Sequence, residues 1–189
     1  MRHFSLTPVL VPLARAIRAF LSERRGSVTV ETILILPPLI WAYLGIYVFF
    51  DAFETITTAS KANYTISDAL SRQRQEVDSQ FLDNAHGLFQ WLVTSDETAI
   101  RVSSITWSDA DEAYKIAWSY AAGGKTPQTD ATIGTYANQI PILPDGDHLI
   151  VVETWLDYTP LFSMGLGPFT FQEFTVTRPR FMPKLEFVT

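Results

Sequence analysis

Cysteine is absent from all 189 residues. That excludes disulfides, a thiol nucleophile and a structural zinc site of the usual cysteine type. A cysteine-free chain suits either cytosol or periplasm, so the compartment has to be argued from topology. Histidine is scarce. His3, His86 and His148 stand far apart, with no HExxH or other ligand spacing around them, and they read as surface residues without a role. The GxSxG pattern of serine hydrolases is missing. Gly124-Lys125-Thr126 matches the end of a phosphate-binding loop, but the first glycine of GxxxxGK[ST] would fall at Ser119. These absences lead to the expectation that the chain is not an enzyme and uses no cofactor and no metal. Basic residues are also in deficit, 14 Lys and Arg against 20 Asp and Glu, for a net charge of −6. An acidic body argues against nucleic-acid binding, which needs a basic face.

What is present is distributed unevenly. Residues 1–26 hold Arg2, Arg15, Arg18, Arg24 and Arg25 against Glu23 alone, a local charge of +4, and the remainder carries −10. Such an asymmetry points to a membrane or an acidic partner at the basic end. Mean hydropathy is +0.11, and one stretch carries most of it. From Val28 to Phe50 the chain reads VTVETILILPPLIWAYLGIYVFF, with Glu31 its only charge. At about 1.5 Å per residue this run covers the roughly 30 Å hydrocarbon core of a bilayer. A core helix is the rival reading, but an apolar surface all round is more than so small a domain can cover. Pro37-Pro38 would break a soluble helix, whereas a membrane helix tolerates proline when neighbours satisfy the freed carbonyls. Arginines before the run and Asp51 and Glu54 after it place the N-terminus in the cytoplasm by the positive-inside rule. A cleaved secretory signal fits poorly, because the run is too long for an h-region and no small-x-small site follows.

Beyond the span the periodicity changes twice. Over residues 51–75, Phe53, Ile56, Ala59, Ile66 and Leu70 recur at helical spacing and predict an extension of the same helix. A second amphipathic helix is predicted over Val77–Val93, with Phe81, Ala85, Leu88, Phe89 and Leu92 on one side. Period two then takes over, predicting strands at Ala99–Ser108, Ala113–Tyr120, His148–Tyr158 and Phe169–Arg178. In the second of these, Tyr114, Ile116, Trp118 and Tyr120 are expected on one face and Lys115 and Ser119 on the other. The glycines and prolines of 121–147 predict a loop, with a helical turn near Ile133–Gln139. Helices followed by two antiparallel strand pairs make an α+β unit, a helix packed on an antiparallel sheet. The acidic cluster Asp109, Asp111 and Glu112 has the oxygens for calcium, but a solvated hairpin turn is the preferred reading. Asp145-Gly146-Asp147 reads as a turn, and Asn63-Tyr64-Thr65 is a glycosylation sequon by form only, within a helix.

The informative cluster is Arg24-Arg25-Gly26-Ser27-Val28-Thr29-Val30-Glu31. A carboxylate inside a membrane helix costs about 2.5–3.5 kcal/mol at mid-bilayer, less near the interface, and by default has a function and a partner. A basic leader, a glycine, and a glutamate five residues later at the head of an apolar helix resemble the processing region of type IV pilin-like precursors. The wording GSVTVETILILPPLIWAYLGIYVFFDAFE is similar to the TadE-like pseudopilins of the Tad (Flp) tight-adherence pilus system, and residues 26–60 carry that resemblance. Tyr158-Thr159-Pro160 and Arg178-Pro179-Arg180 are also similar to TadE-like C-terminal regions, more weakly. Thr32 stands where major Flp pilins commonly carry tyrosine, which suits a minor subunit better. The resemblance implies cleavage by a prepilin peptidase between Gly26 and Ser27, leaving Glu31 as an alignment residue. It implies other pilin-like subunits and the Tad assembly machinery as partners. The expected organisation is a cytoplasmic leader at 1–26, a membrane span at 27–50, a helix extension at 51–75 and a periplasmic α+β domain at 76–189 of a bacterial inner-membrane protein. The alternative is an uncleaved, signal-anchored envelope protein whose periplasmic domain binds a ligand or partner.

Overall fold

A computed structural model of the chain describes Ala19 and residues 27–188. Its first long element is helix α1, Ser27–Ser71, which runs through Pro37 and Pro38. The two prolines remove two amide donors and so free the carbonyls of Ile33 and Leu34, which a membrane helix must satisfy through neighbours. Over residues 28–50 most of its large apolar side chains, among them Leu34, Trp41, Tyr43 and Phe50, are exposed, whereas Val48 is buried. Among the described residues α1 is the one helix long and apolar enough to cross a membrane.

The chain divides into two compact units, the second being Val48–Thr189. Within it the later turns of α1 are no longer apolar all round. Ala52, Ala59, Ala62, Ile66 and Leu70 are buried, while Phe53 is exposed and Ile56 half-buried. Small residues at 52, 59 and 62 let the helix backbone approach its neighbours closely, so the buried stripe passes through alanines rather than through Phe53. The helix ends at Ser71, short of residue 75.

Strand β1 (Val77–Asp78) leads at once into helix α2 (Ser79–Val93). Asp78 caps α2 by accepting a 2.7 Å hydrogen bond from the Phe81 amide, and Thr94 closes it in the left-handed region at φ 55°. Then come β2 (Thr98–Ser108), β3 (Ala113–Ala122), the short helix α3 (Asp130–Ile133), a 3₁₀ segment (Gly134–Gln139), β4 (His148–Tyr158), β5 (Phe169–Thr177) and β6 (Phe187–Val188). The main sheet has the order β3-β2-β4-β5, antiparallel throughout, so the two expected hairpin pairs join through β2 and β4. The fold class is the α+β arrangement that the sequence predicts. β6 pairs in parallel with β1, a contact that no local pattern announced.

Both sheet faces are covered. On one face α1 and α2 pack Ala59, Ala62, Ile66, Leu70, Leu82 and Phe89 against Ile100, Val102, Ile150, Val152 and Leu156. On the other, Ile133, Ile140 and Leu143 from the long β3–β4 connection cover Ile105, Tyr114, Leu149 and Val151. That double cover explains why β4 is buried at every position from Leu149 to Leu156.

β3 departs from the predicted alternation. A bulge lies opposite Ser104 and Ile105, whose partners are Trp118 and Ile116, leaving Ala117 as the extra residue. Side chains on either side of it therefore exchange faces. Tyr114 and Ile116 join the cluster under the β3–β4 connection, whereas Trp118 and Tyr120 join the cluster under the helices. The Asp130 carboxylate accepts a 2.7 Å hydrogen bond from the Ile116 amide and so ties α3 to the bulge.

Candidate functional site

The residues singled out by sequence lie at the head of α1. Gly26 lies outside the described residues, and Ser27 is the first residue of the helix. Glu31 follows one turn later, exposed on a shallow strip of helix surface with Val28, Thr32, Ile35, Leu36 and Leu39. Thr32 donates a 2.7 Å hydrogen bond to the Val28 carbonyl, which satisfies its hydroxyl within the helix. Glu31 has no such outlet. No described residue pairs with its carboxylate, although apolar neighbours surround it.

Where the apolar run ends, polar ties begin. Asp51 accepts a 2.7 Å hydrogen bond from the Tyr158 hydroxyl at the end of β4. Ser60 donates to Glu173 of β5 at 2.9 Å, and the fully buried Asn63 donates to Thr154 of β4 at 2.9 Å. These bonds fix the rotation of α1 over the sheet, because Asp51 and Ser60 flank its buried stripe on opposite sides and Asn63 lies within it. They also settle the sequon: the Asn63 amide is enclosed between helix and sheet, where no glycan fits.

The opposite sheet face holds an ion pair. Arg101 of β2 lies directly across from Glu153 of β4 and binds it through two hydrogen bonds of 2.6 and 2.7 Å. Glu153 is 0% exposed. Burial works to lower the basicity of Arg101, but hydrogen bonding and attraction from Glu153 outweigh it and the pKa is raised above the ordinary arginine value. Arg101 also donates to the Thr126 carbonyl at 3.2 Å and lies 5.1 Å from the centre of the Trp155 ring, with Lys125 at 4.8 Å from the same ring. Beside Trp155 opens a cleft of about 520 Å³ lined by Asp96, Glu97, Gly123, Gly124, Lys125 and Asp157 among others. Gly123 sits at φ +76°, and a Cβ there would come within 2.3 Å of the Thr98 carbonyl oxygen, so the cleft wall requires glycine.

The remaining sequence candidates are dispersed. Gly124-Lys125-Thr126 is the turn leaving β3, and the helix that follows, α3, has four residues and begins only at Asp130. Asp109, Asp111 and Glu112 form the β2–β3 turn. Asp109 accepts from the Trp107 indole at 2.7 Å, while Asp111 takes a hydrogen bond from Ser108 and an ion pair from Lys115, which together hold its pKa below the ordinary value. Among the described residues no group of three or more His, Asp or Glu side chains is placed to hold a metal. His86 lies 3.0 Å from the Thr98 hydroxyl, and His148 opens β4 beside Asp147. The Arg101–Glu153 pair was missed from sequence. Its one local sign is a lone arginine in β2 and a glutamate within the apolar stretch of β4, and only the register shows that the two meet.

No protein-family model, no curated protein and no solved structure matches this chain.

Proposed function

We propose that this chain is a minor, TadE-like pilin subunit that serves the assembly of Tad (Flp) pili, a structural role and not a catalytic one. In this reading a prepilin peptidase removes the basic leader after Gly26. The chain then stays in the bacterial inner membrane through α1, N-terminus inward and the Val48–Thr189 unit in the periplasm, until it joins other pilin-like subunits. The observation that carries the proposal is Glu31, a carboxylate at the head of an apolar helix with no partner among the described residues. Cleavage would create an ammonium at Ser27, four residues before it. In a helical assembly, Glu31 of one subunit pairs with that ammonium on a neighbour as both leave water. Breaking a buried pair costs about 3–5 kcal/mol, whereas forming one mainly fixes register. Glu31 is therefore an alignment device.

The charge of the larger unit supports a minor role. Residues 51–189 carry 9 basic and 18 acidic side chains, a net −9. Stacking many such units at close axial spacing sets like charges against one another, which disfavours a dense homopolymer. Mass spectrometry of the mature N-terminus in cells containing the peptidase tests the reading. A chain beginning at Ser27 supports it, and an intact Met1 favours the uncleaved, signal-anchored alternative.

A further inference from the structure

The β4–β5 connection, Thr159–Pro168, reads TPLFSMGLGP and contains no charged residue. The other long excursions of the sheet do: Asp109, Asp111 and Glu112 in one, Lys125, Asp130, Asp145 and Asp147 in the other. Leu161 is 71% exposed and its neighbour Phe162 40%, two large apolar side chains side by side at a loop tip. Single exposed apolar residues are ordinary, but an uncharged loop with an adjacent pair is a liability in water unless something covers it.

The loop's attachment shows what that is. Tyr158, the last residue of β4, donates its hydroxyl to Asp51 at 2.7 Å. Asp51 is the residue at which the apolar run of α1 stops, one position after Phe50. The loop therefore leaves the sheet level with the end of the span. The neighbouring turn lies at the same end, since the Glu97 carbonyl accepts from the Asp157 amide at 3.0 Å. Just before that turn stands Trp91, 76% exposed, and tryptophan favours the membrane–water boundary.

We propose that Leu161 and Phe162 insert into the boundary between headgroups and acyl chains of the same bilayer that α1 spans, holding the Val48–Thr189 unit down on the membrane surface before assembly. The proposal rests on α1 as a membrane span and not on the pilin role. Asp51, Asp96, Glu97 and Asp157 outnumber the cation Lys125 at this end of the sheet, so attraction to anionic headgroups is not the driving force. Apolar insertion is, as for other peripheral contacts that sink aromatic and aliphatic side chains to shallow depth.

The absence of cysteine makes the test clean, because one introduced thiol takes one probe. Three single variants of the full chain, Ser163→Cys in the loop, Ala110→Cys in the β2–β3 turn and Tyr43→Cys in the span, carry an environment-sensitive fluorophore in phosphatidylcholine vesicles. β2 separates the turn from the loop end by about 30 Å at roughly 3.3 Å per residue. The expected result is blue-shifted emission at 163 relative to 110, quenching by a nitroxide near the lipid headgroup, and iodide quenching several-fold weaker than at 110. Adding Leu161→Asp and Phe162→Asp to the loop variant should abolish all three without changing the circular dichroism. If 163 behaves like 110 while 43 is quenched by a nitroxide deep in the acyl chains, the loop proposal is wrong and the span stands. If 43 is open to iodide as well, both fall together.

Discussion

Arg101→Met removes the one cation that, among the described residues, binds the fully buried carboxylate of Glu153. In the folded chain Glu153 accepts hydrogen bonds of 2.6 and 2.7 Å from the guanidinium. Methionine keeps much of the stem's packing, so the loss is chiefly electrostatic. A buried charge left without its partner costs about 3–5 kcal/mol, a large part of the 5–15 kcal/mol that holds a typical domain together. The contact with the Trp155 ring at 5.1 Å is lost too, which adds to the deficit rather than offsetting it. For a unit of this size a urea dependence of about 2 kcal/mol per molar turns that cost into a midpoint shift of about 1.5–2.5 M. The assay is urea unfolding of the Val48–Thr189 unit, followed by circular dichroism. The double variant Arg101→Met/Glu153→Leu should recover most of the loss, because a well-packed apolar pair in place of a buried ion pair is often neutral or better. A single-variant shift below about 0.5 M would refute the reasoning, since it would mean that water or another group reaches Glu153.

Gly26→Phe should leave a species longer by the 26-residue leader on immunoblots, and wild-type migration in cells holding the peptidase would place cleavage elsewhere. Glu31→Ala should insert at least as well as wild type, since a group that is expensive in a membrane is gone, yet fail to enter sheared pili; normal piliation would end the pairing idea. Gly123→Ala should cost about 1–3 kcal/mol of backbone strain or more, because its Cβ meets the Thr98 carbonyl, whereas Gly124→Ala at φ +81° meets nothing and should lose less in the same unfolding assay. His148 has its pKa lowered, first by burial and then by Lys184, with Asp147 opposing. A depressed histidine resists charging in the fold, so stability should fall as pH drops below about 6.5, and His148→Gln should flatten that slope in thermal melts between pH 7 and 5.

Much of this molecule was legible along the chain because it depends on neighbours in sequence. The long apolar stretch is a run of side chains broken by one charge, Glu31, and composition alone reveals it. The helices and the four main strands follow from periods of 3.6 and two, which local backbone geometry imposes. Their order, helices before paired strands, was enough for the α+β class. The Gly26–Glu31 spacing is likewise a local pattern, and it remains the source of the functional reading.

What the sequence left open depends on residues that meet only after folding. Whether the buried stripe of α1 runs through Phe53 or through Ala52 and Ala59 turns on how close the sheet comes, and hydrophobicity alone ranks phenylalanine first. The bulge at Ala117 swaps the faces of half a strand whose alternation reads as unbroken, because a single inserted residue changes pairing without changing pattern. Arg101 and Glu153 look like solvated strand charges until the β2–β4 register sets them opposite each other under the β3–β4 connection. The uncharged β4–β5 loop acquires meaning only when the Tyr158–Asp51 hydrogen bond brings its start beside the residue at which the apolar run of α1 stops. In each case the deciding term is a contact across many residues of chain, and the free energy of such a contact is set by register and burial rather than by the identity of adjacent residues.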